Sequence, residues 1–486
     1  MKLIIDNHSF QYETENLCKI FFPSVKLETA FSEPFDEGIY TGIKEIKDGF
    51  ELTVKYNIDG TSRESKAFAT KETPHKELER VLAVTLYKML EEITGFSSKW
   101  GILTGIRPVK LVREWHEEGF DDDQIRKILT EKYLVSEQKT DLLLRTEKNE
   151  QAILELSKTD SYSLYVSIPF CPTRCSYCSF VSHAINKAKK LIPEYLELLC
   201  KELEATARIA EDIGLRLETV YIGGGTPTTL NAEQLKTLID CIEKNYDTKN
   251  IREFTIEAGR PDTIDADKLR VIKNSTVTRI SINPQTLNDD VLCEIGRKHT
   301  AQQCIDSFDL ARRENIDNIN MDLIAGLPTD TLESFEKTLE GILALSPENV
   351  TLHTLSVKRA ADLRDEGAKI HAASEGVASK MVDYAYDRLI ENGYEPYYLY
   401  RQKNMLESLE NVGYSKRGYE GLYNVYIMDE THTILAVGAG AVTKLKNHET
   451  DKLERIFNFK FPYEYISRYN EIIERKGLIY DFYRKG

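Results

Sequence analysis

Between residues 162 and about 357, strand-like and helix-like segments alternate six times, and this pattern limits the fold more than any other feature. The strand candidates are SLYVSI, LETVYI, REFTIEA, VTRISIN, NINMDLI and NVTLHTLS, with helical runs such as ELLCKELEATARIAEDIG and AEQLKTLIDCIEKNY between them. Six such units call for parallel strands joined by right-handed crossovers, hence an open sheet or a barrel-like α/β fold. In these folds ligands gather at the C-terminal ends of the strands. Residues that carry chemistry should therefore sit at or just after each strand.

The flanks differ in pattern. Residues 1–73 hold short alternating segments, among them Phe50–Tyr56 followed by an Asp59-Gly60 turn signal, and read as strand and turn. Residues 75–157 turn helical, the run from His75 stopping at Gly95. This gives three expected regions: an α+β N-terminal extension over 1–157, a core over 158–374, and a mainly helical region over 375–486. The stretch Trp100–Lys110 offers either an anion contact or a Gly/Pro turn entering a helix. A hydrophobic share of 41% fits a globular chain, and a net charge of −15 argues against broad nucleic-acid binding. No run of 18 apolar residues occurs and the start has no signal-peptide pattern, so no membrane span and a cytoplasmic location are expected.

Of eight cysteines, five are scattered, and Cys171, Cys175 and Cys178 crowd into a C-x3-C-x2-C loop just after the first strand. Three thiolates can hold three irons of a [4Fe–4S] cluster and leave the fourth open to another ligand. The same triplet with His183 would make a zinc set, and three metal-free buried thiols are a third reading. The second strand ends in Gly223-Gly-Gly-Thr-Pro-Thr228, which is neither a dinucleotide fingerprint nor a P-loop. A triple glycine there allows close backbone approach to a small polar ligand.

YVSIPFCPTRCSYC followed by GGGTPT resembles the radical S-adenosylmethionine (SAM) superfamily, and within it the oxygen-independent coproporphyrinogen III oxidase group. Glu257, Gln285, GRKH at 296–299 and DLIAGLP at 322–328 follow in order, and the late segments YLYRQKN, ENVGYS and AVGAGAVTKL look like its HemZ-type branch. The resemblance implies a partial (β/α)6 TIM-like barrel with a substrate-covering C-terminal domain. It implies that Cys171, Cys175 and Cys178 ligate a [4Fe–4S] cluster and that SAM chelates the open iron. Tyr165, Tyr177, Gly224, Gly225, Thr226 and Glu257 would contact SAM. Gln285, Arg297, Asp322, Ser356 and Val442 fall where a second SAM or the substrate would lie.

The implied reaction converts two propionates of coproporphyrinogen III to vinyl groups, giving protoporphyrinogen IX by 5′-deoxyadenosyl radical chemistry. It needs an electron donor of the flavodoxin or ferredoxin kind and an acceptor that the sequence does not name. A haem-binding chaperone and a radical enzyme for another tetrapyrrole are the alternatives. Arg297-Lys298-His299 reads as a basic patch for carboxylates, or Arg297 as an ion pair with Glu294; Asp322 reads as a contact or as a helix cap. Arg401-Gln402-Lys403, Lys416-Arg417 and Lys358-Arg359 are further candidates for propionates. The chain departs from the group in Ser179-Phe180, where a further cysteine is usual, and in Ala258-Gly-Arg-Pro261.

Overall fold

The computed structural model describes residues 1–179, 183–356, 376–402 and 404–484. They form two compact units, one of residues 1–144 with 401–410, the other of residues 145–356, 377–400 and 411–484.

In the first unit, five strands run in the order Glu28–Phe31, Lys2–Asp6, Gly38–Ile46, Gly49–Ile58 and Thr61–Thr70. Asp59 and Gly60 take φ of 50° and 78°, as a two-residue hairpin turn requires. Gln11–Phe21, in a region read as strand and turn, is a helix that buries Leu17, Cys18, Ile20 and Phe21. The helix His75–Thr94 ends at Gly95 and buries Leu78, Leu82, Leu86 and Leu90 in the same core.

The Trp100–Lys110 stretch is a turn entering the helix Pro108–Glu117. Trp100 is wholly buried; its Nε1–H donates to Glu410 Oε2 at 2.7 Å, and Lys139 Nζ lies 2.7 Å from Glu410 Oε1. Arg401 donates to the Leu103 and Ser408 carbonyls and covers the Trp100 ring. Its guanidinium holds this turn, so the expectation that Arg401 meets a propionate is corrected. Lys403, Lys358 and Arg359 lie outside the described residues.

The second unit is built on one sheet. Its parallel core comprises β1 (Ser161–Ile168), β2 (Arg216–Gly224), β3 (Glu253–Gly259), β4 (Arg279–Ile282), β5 (Ile319–Ala325) and β6 (Asn349–Thr354), hydrogen-bonded in sequence order. All six expected strands form. Leu164, Val166 and Ile168 on one face of β1 are buried, and so are Ser163 and Ser167 on the other, as a strand covered on both faces should be. The crossovers include helices α1 (Ile192–Asp212) and α2 (Ala232–Asn245). Asn231 and Gln234 cap α2 reciprocally, each side chain bonding the other's backbone N–H.

The C-terminal region, expected to be mainly helical, is mixed. It adds five strands to the same sheet: β7 (Glu395–Tyr400), β8 (Asn411–Ser415), β9 (Thr433–Val437), β10 (Val442–Lys446) and β11 (Leu453–Phe457). β9 lies parallel to β1, and β8 runs antiparallel to β6 with Ser415 opposite Asn349. That register puts Lys416 and Arg417 beyond the N-terminal end of β6, away from the strand C-termini. Lys416 there donates to the carbonyl and hydroxyl oxygens of Ser346, both at 2.8 Å. The propionate expectation for this pair is corrected too. No helix of the described residues is long and apolar enough to cross a membrane.

Candidate functional site

The cysteine loop leaves β1 and is anchored from two directions. Phe170-Cys171 pairs in parallel with His183-Ala184, and Ser176 N–H and Thr173 Oγ1 donate to the carbonyls of Ile295 and Gly296 at 3.1 and 3.2 Å. Cys175 is buried, Cys171 and Cys178 are half-buried, and none of the three is in a disulfide. Thr226 Oγ1 lies 3.5 Å from Cys171 Sγ, and Arg260 Nη1 lies 3.8 Å from Cys175 Sγ. A guanidinium placed there can offset the negative charge of a metal-bound thiolate.

Among the described residues, no three His, Cys, Asp or Glu side chains close on one point as a single ion requires. An iron–sulfur cluster asks something different, since each thiolate takes its own iron. The His183 ring stands edge-on to Phe461 and Tyr463.

The glycine run abuts this loop. Gly225 N–H donates to Ile168 O at 2.8 Å and Thr226 N–H to Phe170 O at 2.7 Å. A Cβ on Gly225 would fall 2.6 Å from the Phe170 carbonyl oxygen, and Gly224 has φ of 103°. Gly225 is thus required for close approach and Gly224 for its conformation. The donor set and this cradle fit the cluster and SAM that the motifs imply.

Glu257 lies within β3, and Tyr221 of β2 donates to its Oε1 at 2.5 Å. Burial, with Asp322 nearby, pushes the Glu257 carboxyl up to about 7 despite that hydrogen bond. Tyr165 of β1 joins Tyr221 and Tyr423 in a set of near-parallel rings, the last two 4.5 Å apart between centroids. Asp322 lies inside β5, so the helix-cap reading is corrected; Asn320 Nδ2 donates to it at 2.7 Å and His353 Nε2 is 3.7 Å away. Gln285, at φ of 68°, exchanges backbone hydrogen bonds with β5 through Asp322 O and Ile324 N.

Arg297, Lys298 and His299 do not form a basic patch. These residues belong to neither helix nor strand, and their burial alternates: Arg297 and His299 are buried and Lys298 is exposed. Arg297 donates to Asn283 O at 2.6 Å and to Tyr177 Oη at 3.2 Å, not to Glu294. Burial and the charges of Arg297 and Arg260 push His299 down to about 3, which leaves it neutral.

Thus the structure joins Tyr165, Glu257, Asp322 and Gln285 in one neighbourhood, and the three cysteines, Tyr177, Thr226 and Arg297 in the adjoining one. Ser356 follows β6 and is half-buried; Val442 opens β10 opposite Phe457. Val442 follows the Gly438–Ala441 turn, whose Ala439 carbonyl accepts from Ser167 Oγ at 2.7 Å. Buried Glu202 fixes this turn by accepting from Gly438 N–H at 2.9 Å and Tyr465 Oη at 2.6 Å, with Lys476 Nζ 3.0 Å away. Sequence reasoning missed Tyr221, Tyr423, Glu202 and Arg260. Of these only Arg260 left a signal, in the unusual Ala-Gly-Arg-Pro.

A family model described as the radical SAM superfamily matches residues 165–342. The chain is 36% identical to the oxygen-independent coproporphyrinogen-III oxidase-like protein HemZ of Bacillus subtilis, over 95% of this chain and 94% of that protein. The haem chaperone HemW of Bacillus subtilis is 34% identical over 57% of this chain and 70% of its own length. A solved structure of Escherichia coli coproporphyrinogen III oxidase (HemN), described as a radical SAM enzyme, matches with 22% identity and a TM-score of 0.49, covering 66% of this chain and 72% of that one.

Proposed function

Since the chain belongs to the radical SAM superfamily, in the group of oxygen-independent coproporphyrinogen-III oxidase-like proteins, we propose that it decarboxylates two propionates of coproporphyrinogen III oxidatively to vinyl groups. Its cofactors are a [4Fe–4S] cluster and SAM. A propionate β-carbon holds an unactivated C–H bond that no side-chain acid or base can break at useful rates. Bound together, cluster and SAM supply one-electron reducing power and a hydrogen-abstracting radical, and the protein supplies position and exclusion of water.

In this reading Cys171, Cys175 and Cys178 hold the cluster, with Arg260 and Arg297 beside them to offset thiolate charge. The backbone of Gly224, Gly225 and Thr226 receives the SAM amino group. Glu257, once ionised, accepts from ribose hydroxyls, with Tyr221 fixing its orientation. Tyr165 and Tyr423 line the site with aromatic surface, and Gln285, Asp322, Ser356 and Val442 serve a second SAM or the substrate. An electron donor of the flavodoxin or ferredoxin kind completes the system.

The observation that carries the reading is the meeting of a thiol loop, a glycine cradle and an acid-bearing tyrosine wall at the C-terminal ends of β1 to β3. A haem chaperone is the second reading, favoured by the 34% identity to HemW. Anaerobic reconstitution with reductant, SAM and coproporphyrinogen III separates the two. The oxidase converts the substrate catalytically to a vinyl product; stoichiometric haem binding without turnover would support the chaperone instead.

A further inference from the structure

Outside that site, α1 and α2 bring two further cysteines together. Cys200 lies on α1 and Cys241 on α2, both half-buried, in a groove of about 700 Å³ between the two helices. The Cys241 thiol donates to the Cys200 carbonyl at 3.7 Å, which brings the two residues into direct contact across the helix pair. Asn245, one turn further along α2, donates its amide to Cys241 Sγ at 3.7 Å and to the Cys241 carbonyl at 2.8 Å. Neither cysteine belongs to the motif that the radical chemistry uses. A paired arrangement in an open groove also differs from the two lone core thiols, Cys18 and Cys304, which are wholly buried.

We propose that Cys200 and Cys241 are an oxidisable thiol pair, a modification site at which hydrogen peroxide closes an intramolecular disulfide between α1 and α2. Cys241 is the attacking thiol and Cys200 the resolving one. The neighbouring Cys200 thiol and the hydrogen bond from the Asn245 amide lower the Cys241 pKa against the pull of burial, while Cys200 is shifted up. In the first step the Cys241 thiolate attacks one peroxide oxygen. The S–O bond forms, the O–O bond breaks, and the departing hydroxide takes up the thiol's proton as water, leaving a sulfenic acid. In the second step the Cys200 sulfur attacks the Cys241 sulfur. The S–S bond forms, the S–O bond breaks, and hydroxide leaves with the Cys200 proton as a second water. Two thiols lose two electrons in all, and one peroxide is reduced to two waters. The inference does not depend on which tetrapyrrole the enzyme uses.

The test treats the full chain, cluster loaded, with a small excess of hydrogen peroxide, blocks remaining thiols by alkylation, and maps peptides by mass spectrometry. Cys293, exposed and outside the pair, is the internal control. The expected result is a Cys200–Cys241 linked peptide that forms before Cys293 is modified and is reversed by a thiol reductant. Cys200→Ser should trap Cys241 as a dimedone-reactive sulfenic acid, and Cys241→Ser should leave Cys200 alkylatable. Recovery of both cysteines as alkylated peptides, or their oxidation no faster than Cys293 and without a link, would overturn the proposal.

Discussion

Tyr221 donates its phenolic hydrogen to Glu257 Oε1 across 2.5 Å, and burial holds that carboxyl half-protonated at about pH 7. An acid of this kind has a different role on each side of neutrality. Ionised, it is an acceptor for two hydroxyls; protonated, it gives up part of that capacity.

SAM should accordingly bind more tightly as pH rises through about 7. Equilibrium binding to the cluster-loaded protein, measured on both sides of that value, checks this, and Glu257→Gln should remove the dependence. A wild-type affinity that stays level with pH would reject the assignment. For the SAM-free chain the sign for stability is the reverse. The folded pKa is raised, so the stabilisation is full below the free carboxyl value of about 4.3. It is lost as pH rises through about 7, to an extent of about 4 kcal/mol.

Arg297 reaches two oxygens at once, Asn283 O and Tyr177 Oη. A lysine has no planar fork to span them. Arg297→Lys should therefore behave much like Arg297→Ala, each losing about 1.5–3 kcal/mol of charge-assisted hydrogen bonding that orders the cysteine loop. Iron and sulfide content per chain after reconstitution is the readout. Full cluster loading in both variants would show that the loop does not need Arg297.

Gly225→Ala places a Cβ 2.6 Å from one backbone oxygen and 2.8 Å from another, Phe170 O and Ile168 O. Neither can swing away as a side-chain end could, so β1 and the glycine run must separate, at a cost of about 1–3 kcal/mol. SAM affinity should fall by tenfold or more while the thermal midpoint moves only a few degrees. Undiminished SAM binding would place the cradle elsewhere.

Much of this architecture is legible in the sequence for a physical reason. β1 to β6 are written as short segments in which apolar residues alternate with polar ones, as in Phe254-Thr-Ile256 and Val350-Thr-Leu352, and that period of two marks a strand. The cysteine and glycine motifs are local as well, since their spacing is set by one loop and one strand end. What the sequence conceals is set by three-dimensional neighbours. Tyr423 reaches Tyr221 from about 200 residues away, and Glu202 holds a turn more than 230 residues later in the chain. Arg297-Lys298-His299 misleads because adjacency in sequence is not adjacency on a surface. Two of the three point inward, and one of those is uncharged. The Gln11–Phe21 helix escapes notice among strands because its stripe of buried residues is short.

These corrections also alter the electrostatic picture of a chain with a net charge of −15. Arg260 and Arg297, both buried, face the cysteine loop, where they suit thiolate charge better than propionates.

The most direct measurement of the proposed function is isotope transfer. Coproporphyrinogen III deuterated at the propionate β-carbons, supplied anaerobically with SAM and reductant to the cluster-loaded protein, should yield 5′-deoxyadenosine carrying deuterium, together with a vinyl product. Deoxyadenosine formed without deuterium, and with the propionates intact, would contradict the account.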